Sequence, residues 1–173
     1  RFLDAYGESM EFGQVQLNYI DWTFQNAEAK VKRLGELGIP VWVMEPLRGG
    51  SLASLSPDAT EILRKADPRS SNAAWALRYV ASLPNVLCVL SGMSLPEHME
   101  DNIRTFSPLK PLTDNERKTL DQALTAYRKR LAVPCTACRY CTTYCPKGID
   151  IPYMLNQYNQ ITFNPEGLAW YTS

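Results

Sequence analysis

A chain of 173 residues, 45% of them apolar and 21% charged, has enough apolar material for one core and a small appended unit, which excludes a tail or a linker. Eighteen Lys and Arg balance eighteen Asp and Glu, so no broad basic field favours nucleic acid or an anionic membrane surface, and a small, nearly neutral partner fits better. The longest apolar runs, such as Val86 to Leu90, fall far short of the roughly 20 residues of a membrane span, and the first residues lack the basic-then-apolar pattern of a secretion signal. The expected location is therefore the cytoplasm. The chain opens on Arg1 and stops at Ser173, which suggests a piece of something longer.

In chain order, Gln14 to Ile20 alternates polar with apolar residues and reads as a strand. Ala27 to Leu37 follows as a helix, with Ala27, Val31, Leu34 and Leu37 on one face and Gly38 as a stop. Pro40 to Met44 is a second, compact apolar strand, and a short helix opens at Ser56-Pro57, because proline suits the first helical position. Asn72 to Leu83 is the next helix, and Asn85 to Leu90 a third strand. Strands alternating with helices predict an α/β fold with parallel pairing. Three strands cannot bury both faces of such a sheet, so a larger domain is expected.

Beyond the third strand, Ser94-Leu-Pro-Glu97 matches a capping box and predicts a helix to about Phe106, ended by Ser107-Pro108. A second box, Thr113-Asp-Asn-Glu116, predicts a longer helix with Leu120, Leu124, Tyr127 and Leu131 on one stripe and a solvated charged face. At Val133-Pro134 the composition turns cysteine-rich, which marks a domain boundary, and a last helix begins near Pro152 and carries Tyr153 to Ile161.

Four of the five cysteines fall in Cys135-Thr-Ala-Cys138-Arg-Tyr-Cys141-Thr-Thr-Tyr-Cys145-Pro146, a C-x₂-C-x₂-C-x₃-C-P run. Spacing by three lets a tight loop aim successive thiolates at one centre while backbone N–H groups offset the charge of the sulfides. A [4Fe–4S] cluster is the expected cofactor. Structural zinc usually takes two paired motifs a dozen or more residues apart, and bunched cysteines in a cytosolic chain make poor disulfide partners. Cys145 either closes the same cluster or ligates a second one whose other ligands lie beyond Ser173; the second option is favoured. Cys88, inside an apolar strand, reads as a small buried thiol.

Three further segments carry a resemblance. Gln14 to Trp22, Pro40 to Gly50 and Ser91 to Asn102 together resemble the aldo/keto reductase family, in the bacterial branch that adds a C-terminal ferredoxin-like domain. The resemblance implies that the strands are the sixth to eighth of a (β/α)₈ barrel, that residues 1–107 belong to that barrel, that 108–133 connect, and that 134–173 form an incomplete, mostly helical ferredoxin-like domain. It also implies NAD or NADP bound across the C-terminal strand ends, a small carbonyl substrate and a redox protein as a further partner.

By the same resemblance, Gln14 hydrogen-bonds the nicotinamide carboxamide, and Pro46, Leu47, Arg48, Gly49, Gly50 and Ser51 wrap the pyrophosphate. Gly92 and Ser94 sit at the adenosine phosphate end, and Asp101-Asn102 stand where the family has a Glu-Asn pair on the adenine. Two positions depart from the pattern: Met44 replaces an aromatic ring, and His98 replaces the arginine of members that prefer NADP. NAD or NADP is left open. The family's catalytic Asp, Tyr, Lys and His come from strands one to four, so no residue here is assigned to catalysis, and Tyr19 is not promoted to proton donor. A non-catalytic iron–sulfur carrier or scaffold, and a zinc-stabilised module, stand as rival readings.

Overall fold

The computed structural model describes residues 2–129, 132–133, 135 and 138–163. After helix α1 (Phe2–Tyr6) and a 3₁₀ turn, strand β1 (Gly13–Gln16) leads through α2 (Asp21–Phe24) and α3 (Ala27–Glu36) to β2 (Val41–Met44). Helices α4 (Pro57–Ala66) and α5 (Asn72–Ala81) precede β3 (Val86–Val89), and α6 (Pro96–Phe106), α7 (Asp114–Arg128), α8 (Tyr140–Thr143) and α9 (Ile151–Phe163) follow. The strands form a parallel sheet in sequential order, β1-β2-β3. Consecutive strands of a (β/α)₈ barrel are arranged in this way. No helix among the described residues is long and apolar enough to cross a membrane.

Alternation decides which sheet face is covered. Val15, Leu17, Val41 and Val43 point to one side and are buried with Ala27, Val31 and Leu34 of α3 and Val80 of α5. Gln14, Gln16, Trp42 and Met44 point to the other side and are exposed or half-buried. The period of two along each strand places every apolar residue of this set under the helices.

Helix α3 ends as its sequence requires. Gly38 adopts φ +69°, and the N–H groups of Gly38 and Ile39 donate to the carbonyls of Gly35 and Leu34 at 3.1 and 2.9 Å. This closing pair satisfies two carbonyls that the helix leaves open, and glycine meets the left-handed backbone without a Cβ clash.

Three expectations need correction. Strand β1 stops at Gln16 instead of reaching Ile20, because the Asn18 side chain accepts from the Ile20 and Asp21 N–H groups at 3.1 and 2.8 Å and turns the chain into α2. The box at Ser94 does not form: α6 starts at Pro96 with Leu95 as its cap and no side-chain cap bond. Proline's preference for the first helical position moves the frame by one and puts Glu97 second, where a box needs it third. Cys88 is half-buried, since β3 is an edge strand and its Leu87 is 69% exposed. Helix α7, in the segment read as connecting, packs into the core: its Leu120 and Ala123 are buried with Ala59 and Leu63 of α4 and with Leu52 and Trp75.

The box at Thr113 does form. Glu116 N–H donates to Thr113 Oγ1 at 3.3 Å, and Thr113 N–H donates to Glu116 Oε2 at 2.8 Å. Leu124 and Tyr127 pack against the same core, as their stripe predicts; Leu131 and Pro134 lie outside the described residues.

Candidate cofactor site

The C-terminal ends of β1 and β2 are joined by buried polar groups. Asn18 and Asp21 are 0% exposed and Arg48 is 5% exposed. Asp21 Oδ2 accepts from Gln16 Nε2 at 2.9 Å and from Asn18 Nδ2 at 2.8 Å. Its Oδ1 faces Arg48 Nε at 3.5 Å. Asn18 Nδ2 also donates to the Glu45 carbonyl at 3.0 Å. Charges this deep need both a partner and hydrogen bonds to offset the loss of water, and here one carboxylate serves residues from both strand ends.

That network is the base of the loop after β2. Glu45, Arg48, Gly49 and Gly50 take φ values of 54°, 50°, 61° and 86°. Two of these are left-handed non-glycine residues, a conformation that persists only where the surroundings enforce it. Arg48 N–H donates to the Glu45 carbonyl at 3.0 Å, and Ser51 Oγ donates to the Arg48 carbonyl at 2.8 Å. Pro46 is buried, and Leu47 packs beside buried Leu52. The loop therefore turns Pro46, Leu47 and Arg48 inward and leaves Glu45, Gly49 and Gly50 exposed. A Cβ on Gly50 would meet nothing within 4 Å, so the backbone there is open to a ligand. The Gly49 N–H donates to the Glu45 carboxylate.

Of the other residues expected to hold a nucleotide, Arg48 has its guanidinium against Asp21 and 5.7 Å from the Phe24 ring centre, which makes it an anchor of the loop. Gln14 donates to Met44 Sδ at 3.2 Å on the uncovered sheet face. Gln16 is the last residue of β1, two residues nearer the loops, with its amide held by Asp21; because the strand reads as running to Ile20, nothing in the sequence signals that position. At the end of β3, Gly92 is open, and Ser94 N–H donates to His98 Nδ1 at 3.4 Å. Asp101 and Asn102 brace α6: Asp101 accepts from Ser71 Oγ at 2.5 Å and pairs with Arg104 at 3.3 Å, and Asn102 Nδ2 donates to Ser91 Oγ at 3.0 Å.

Tyr19 is turned into the core, and its hydroxyl has no hydrogen-bond partner among the described residues. Burial pushes its phenol, and that of Tyr79, well above the usual value. A phenol held this firmly protonated in an apolar core is poorly suited to proton transfer.

None of Cys135, Cys138, Cys141 and Cys145 forms a disulfide. Among the described residues no three His, Cys, Asp or Glu side chains converge on a point that could hold a metal ion. The donor chemistry nonetheless suits a thiolate-bound cluster. The Cys145 thiol is held below its ordinary value by hydrogen bonds from the backbone N–H groups of Ile149 and Lys147, with a smaller contribution from Gly148 that acts against slight desolvation. Arg139, in the left-handed region at φ 62°, pairs with Asp150 across the loop. The Asn159 carboxamide accepts from Val133 N–H at 2.7 Å and donates to the Val133 carbonyl at 2.8 Å, tying the approach to Cys135 onto α9.

A family model described as the aldo/keto reductase family matches residues 5–125. Among solved structures, the aldo-keto reductase AKR11C1 from Bacillus halodurans in its apo form is 20% identical with a TM-score of 0.54, covering 70% of this chain and 47% of that one. Its holo form is also 20% identical, with a TM-score of 0.53 over 70% of this chain and 46% of that one. A thermostable aldo-keto reductase, Tm1743, in complex with the inhibitor epalrestat is similar at 20% identity and a TM-score of 0.50, covering 64% of this chain and 38% of that one. At such identity the likeness is one of fold, and the chain spans less than half the length of these structures. No curated protein matches. With the family match running from α1 into α7, across the whole parallel sheet and the loops at its C-terminal end, the chain belongs to the aldo/keto reductase family.

Proposed function

We propose that this chain is the cofactor-binding part of an NAD(P)-dependent oxidoreductase that acts on a small carbonyl substrate in the cytoplasm, with residues 134–173 forming a [4Fe–4S]-binding segment of ferredoxin-like type. One observation carries the nucleotide half: an exposed, left-handed Gly49–Gly50 tip stands at the C-terminal end of the middle strand, on a base fixed by the buried Asp21–Arg48 pair. Backbone N–H groups free of a Cβ suit close approach by a pyrophosphate, and ligands of parallel α/β folds gather at this end of the strands. A bound nicotinamide supplies hydride. The chain's own residues bind and orient it: Gly49, Gly50 and Gly92 by backbone, Gln14 at the carboxamide, and Ser94 and His98 at the adenosine phosphate. Pro46, Leu47, Arg48, Asp101 and Asn102 shape the loops around it.

The cysteine run supports the second half. Cys135, Cys138 and Cys141 are the ligands of one cluster, and Cys145 either completes it or serves a second. A bound cluster supplies one-electron transfer, which suits a redox protein as partner. Anaerobic purification of the full-length protein, with iron and acid-labile sulfide analysis and a fluorescence titration with NADPH and NADH, tests both halves. About four irons per cluster are expected. A colourless protein without sulfide overturns the cluster, and no response to either nucleotide overturns the dinucleotide reading.

A further inference from the structure

The Gly49 amide, half of the donor pair at the loop tip, already holds an anion. Glu45, four residues earlier, folds back so that its carboxylate accepts the Gly49 N–H. Its backbone is fixed for this purpose: φ is 54°, and its carbonyl accepts from Asn18 Nδ2 and from Arg48 N–H, both at 3.0 Å. The side chain itself is exposed, so it can swing away without opening a cavity. Arg48, whose positive charge could draw a phosphate to the loop, has its guanidinium turned inward against Asp21 with 3% of its side chain exposed. The loop tip thus sets a glycine amide suited to a phosphate against a carboxylate that would repel one.

We propose that Glu45 sets the affinity of this loop for a phosphate-bearing ligand: its carboxylate takes the Gly49 N–H in the free protein and must leave before a pyrophosphate can use that donor. The inference rests on the dinucleotide reading above. A ligand that binds only the fraction of protein with the carboxylate swung out has its apparent affinity lowered by that fraction, and a carboxylate left within a few ångströms of the bound phosphate lowers it further. Glu45 therefore acts as a specificity-determining residue that favours ligands able to displace it with a second, stronger set of contacts.

The test compares the full-length protein with its Glu45→Gln and Glu45→Ala variants, titrated with NADPH, with inorganic pyrophosphate and with reduced nicotinamide riboside, which carries no phosphate. Glu45→Ala should bind NADPH and pyrophosphate roughly tenfold more tightly, the change expected for about 1.4 kcal/mol, Glu45→Gln by a smaller factor because its amide oxygen can still accept the Gly49 N–H, and the riboside should bind all three alike. Equal or weaker NADPH binding in both variants, with NADPH bound by the parent, overturns the role of Glu45 and leaves the dinucleotide reading intact. Binding of NADPH and pyrophosphate by none of the three proteins, with circular dichroism showing all folded, overturns both.

Discussion

Asp21 and Arg48 lie 27 residues apart in sequence and meet at 3.5 Å in the interior, the carboxylate of the first opposite Nε of the second. Their contact fixes the end of β1 to the loop after β2, so it links folding to the geometry of the candidate site. Breaking a buried pair from one side leaves an uncompensated charge and costs about 3–5 kcal/mol. Asp21→Ala should therefore lower the denaturation midpoint sharply, and the double variant Asp21→Leu with Arg48→Met should recover most of the loss. Urea unfolding of the three proteins checks this; a double variant as unstable as the single one would show that the Gln16 and Asn18 hydrogen bonds to Asp21 carry the effect.

Glu116 couples stability to pH. Burial alone would raise its carboxyl, but the Thr113 N–H, the Arg78 guanidinium at 2.7 Å and the Thr113 hydroxyl together hold it below its ordinary value of 4.5. Its folded value is the lower one, so the stabilisation is present above the unfolded value and is lost as pH falls through the folded one. The melting temperature should fall between about pH 5 and pH 3, and Glu116→Gln should flatten that part of the profile while lowering stability at neutral pH. An unaltered acid limb in the variant would assign it to other carboxylates, Asp67 and Glu61 among them, which are also held low.

The seam between α4 and α7 tests whether the helix after residue 113 belongs to the core. Leu63 is 1% exposed and Leu120 is 2% exposed, and both lie in the cluster that holds Trp75 and Leu52. Truncating either to alanine should cost about 2–5 kcal/mol, the transfer loss plus the cavity. Leu120→Ala measured by calorimetry decides the matter: a loss under 1 kcal/mol would mean that α7 rides on the surface.

Periodicity and local capping were readable from the residues because they depend on neighbours in sequence. Ala27, Val31 and Leu34 report the buried face of α3, and Gly38 and the Thr113–Glu116 box act within one turn. The end of β1 and the box at Ser94 are misread for one reason, competition from a partner or preference that the local pattern does not contain. Asn18 looked like one more polar step of a strand, but its amide reaches Asp21 and the Glu45 carbonyl and ends β1 early. Arg48 is read as one residue of the loop that wraps the pyrophosphate, and the fold adds that its guanidinium lies against buried Asp21. Gln14 is assigned by resemblance alone; in the fold it lies on the uncovered face beside Met44, with Gln16 two residues further along the same face.

The clamp at Asn159 gives the cysteine segment its own test, independent of any nucleotide. One carboxamide satisfies both backbone groups of Val133, and the Val133 carbonyl also accepts from the Cys135 N–H at 2.9 Å. Two hydrogen bonds at about 0.5–1.5 kcal/mol each make a local brace of roughly 1–3 kcal/mol, enough to decide whether the first cysteine is held beside α9 or samples other positions. Asn159→Ala should raise amide hydrogen exchange at Val133 and Cys135 while leaving α3 and α5 protected. It should also lower iron per chain after anaerobic reconstitution, though less than Cys138→Ser or Cys141→Ser. Asn159→Asp keeps one acceptor but cannot donate to the carbonyl, so its exchange and iron content should fall between those of the parent and the alanine variant. If all three proteins exchange alike at Val133, the clamp does not hold this segment, and its ordering must come from the Arg139–Asp150 pair across the loop.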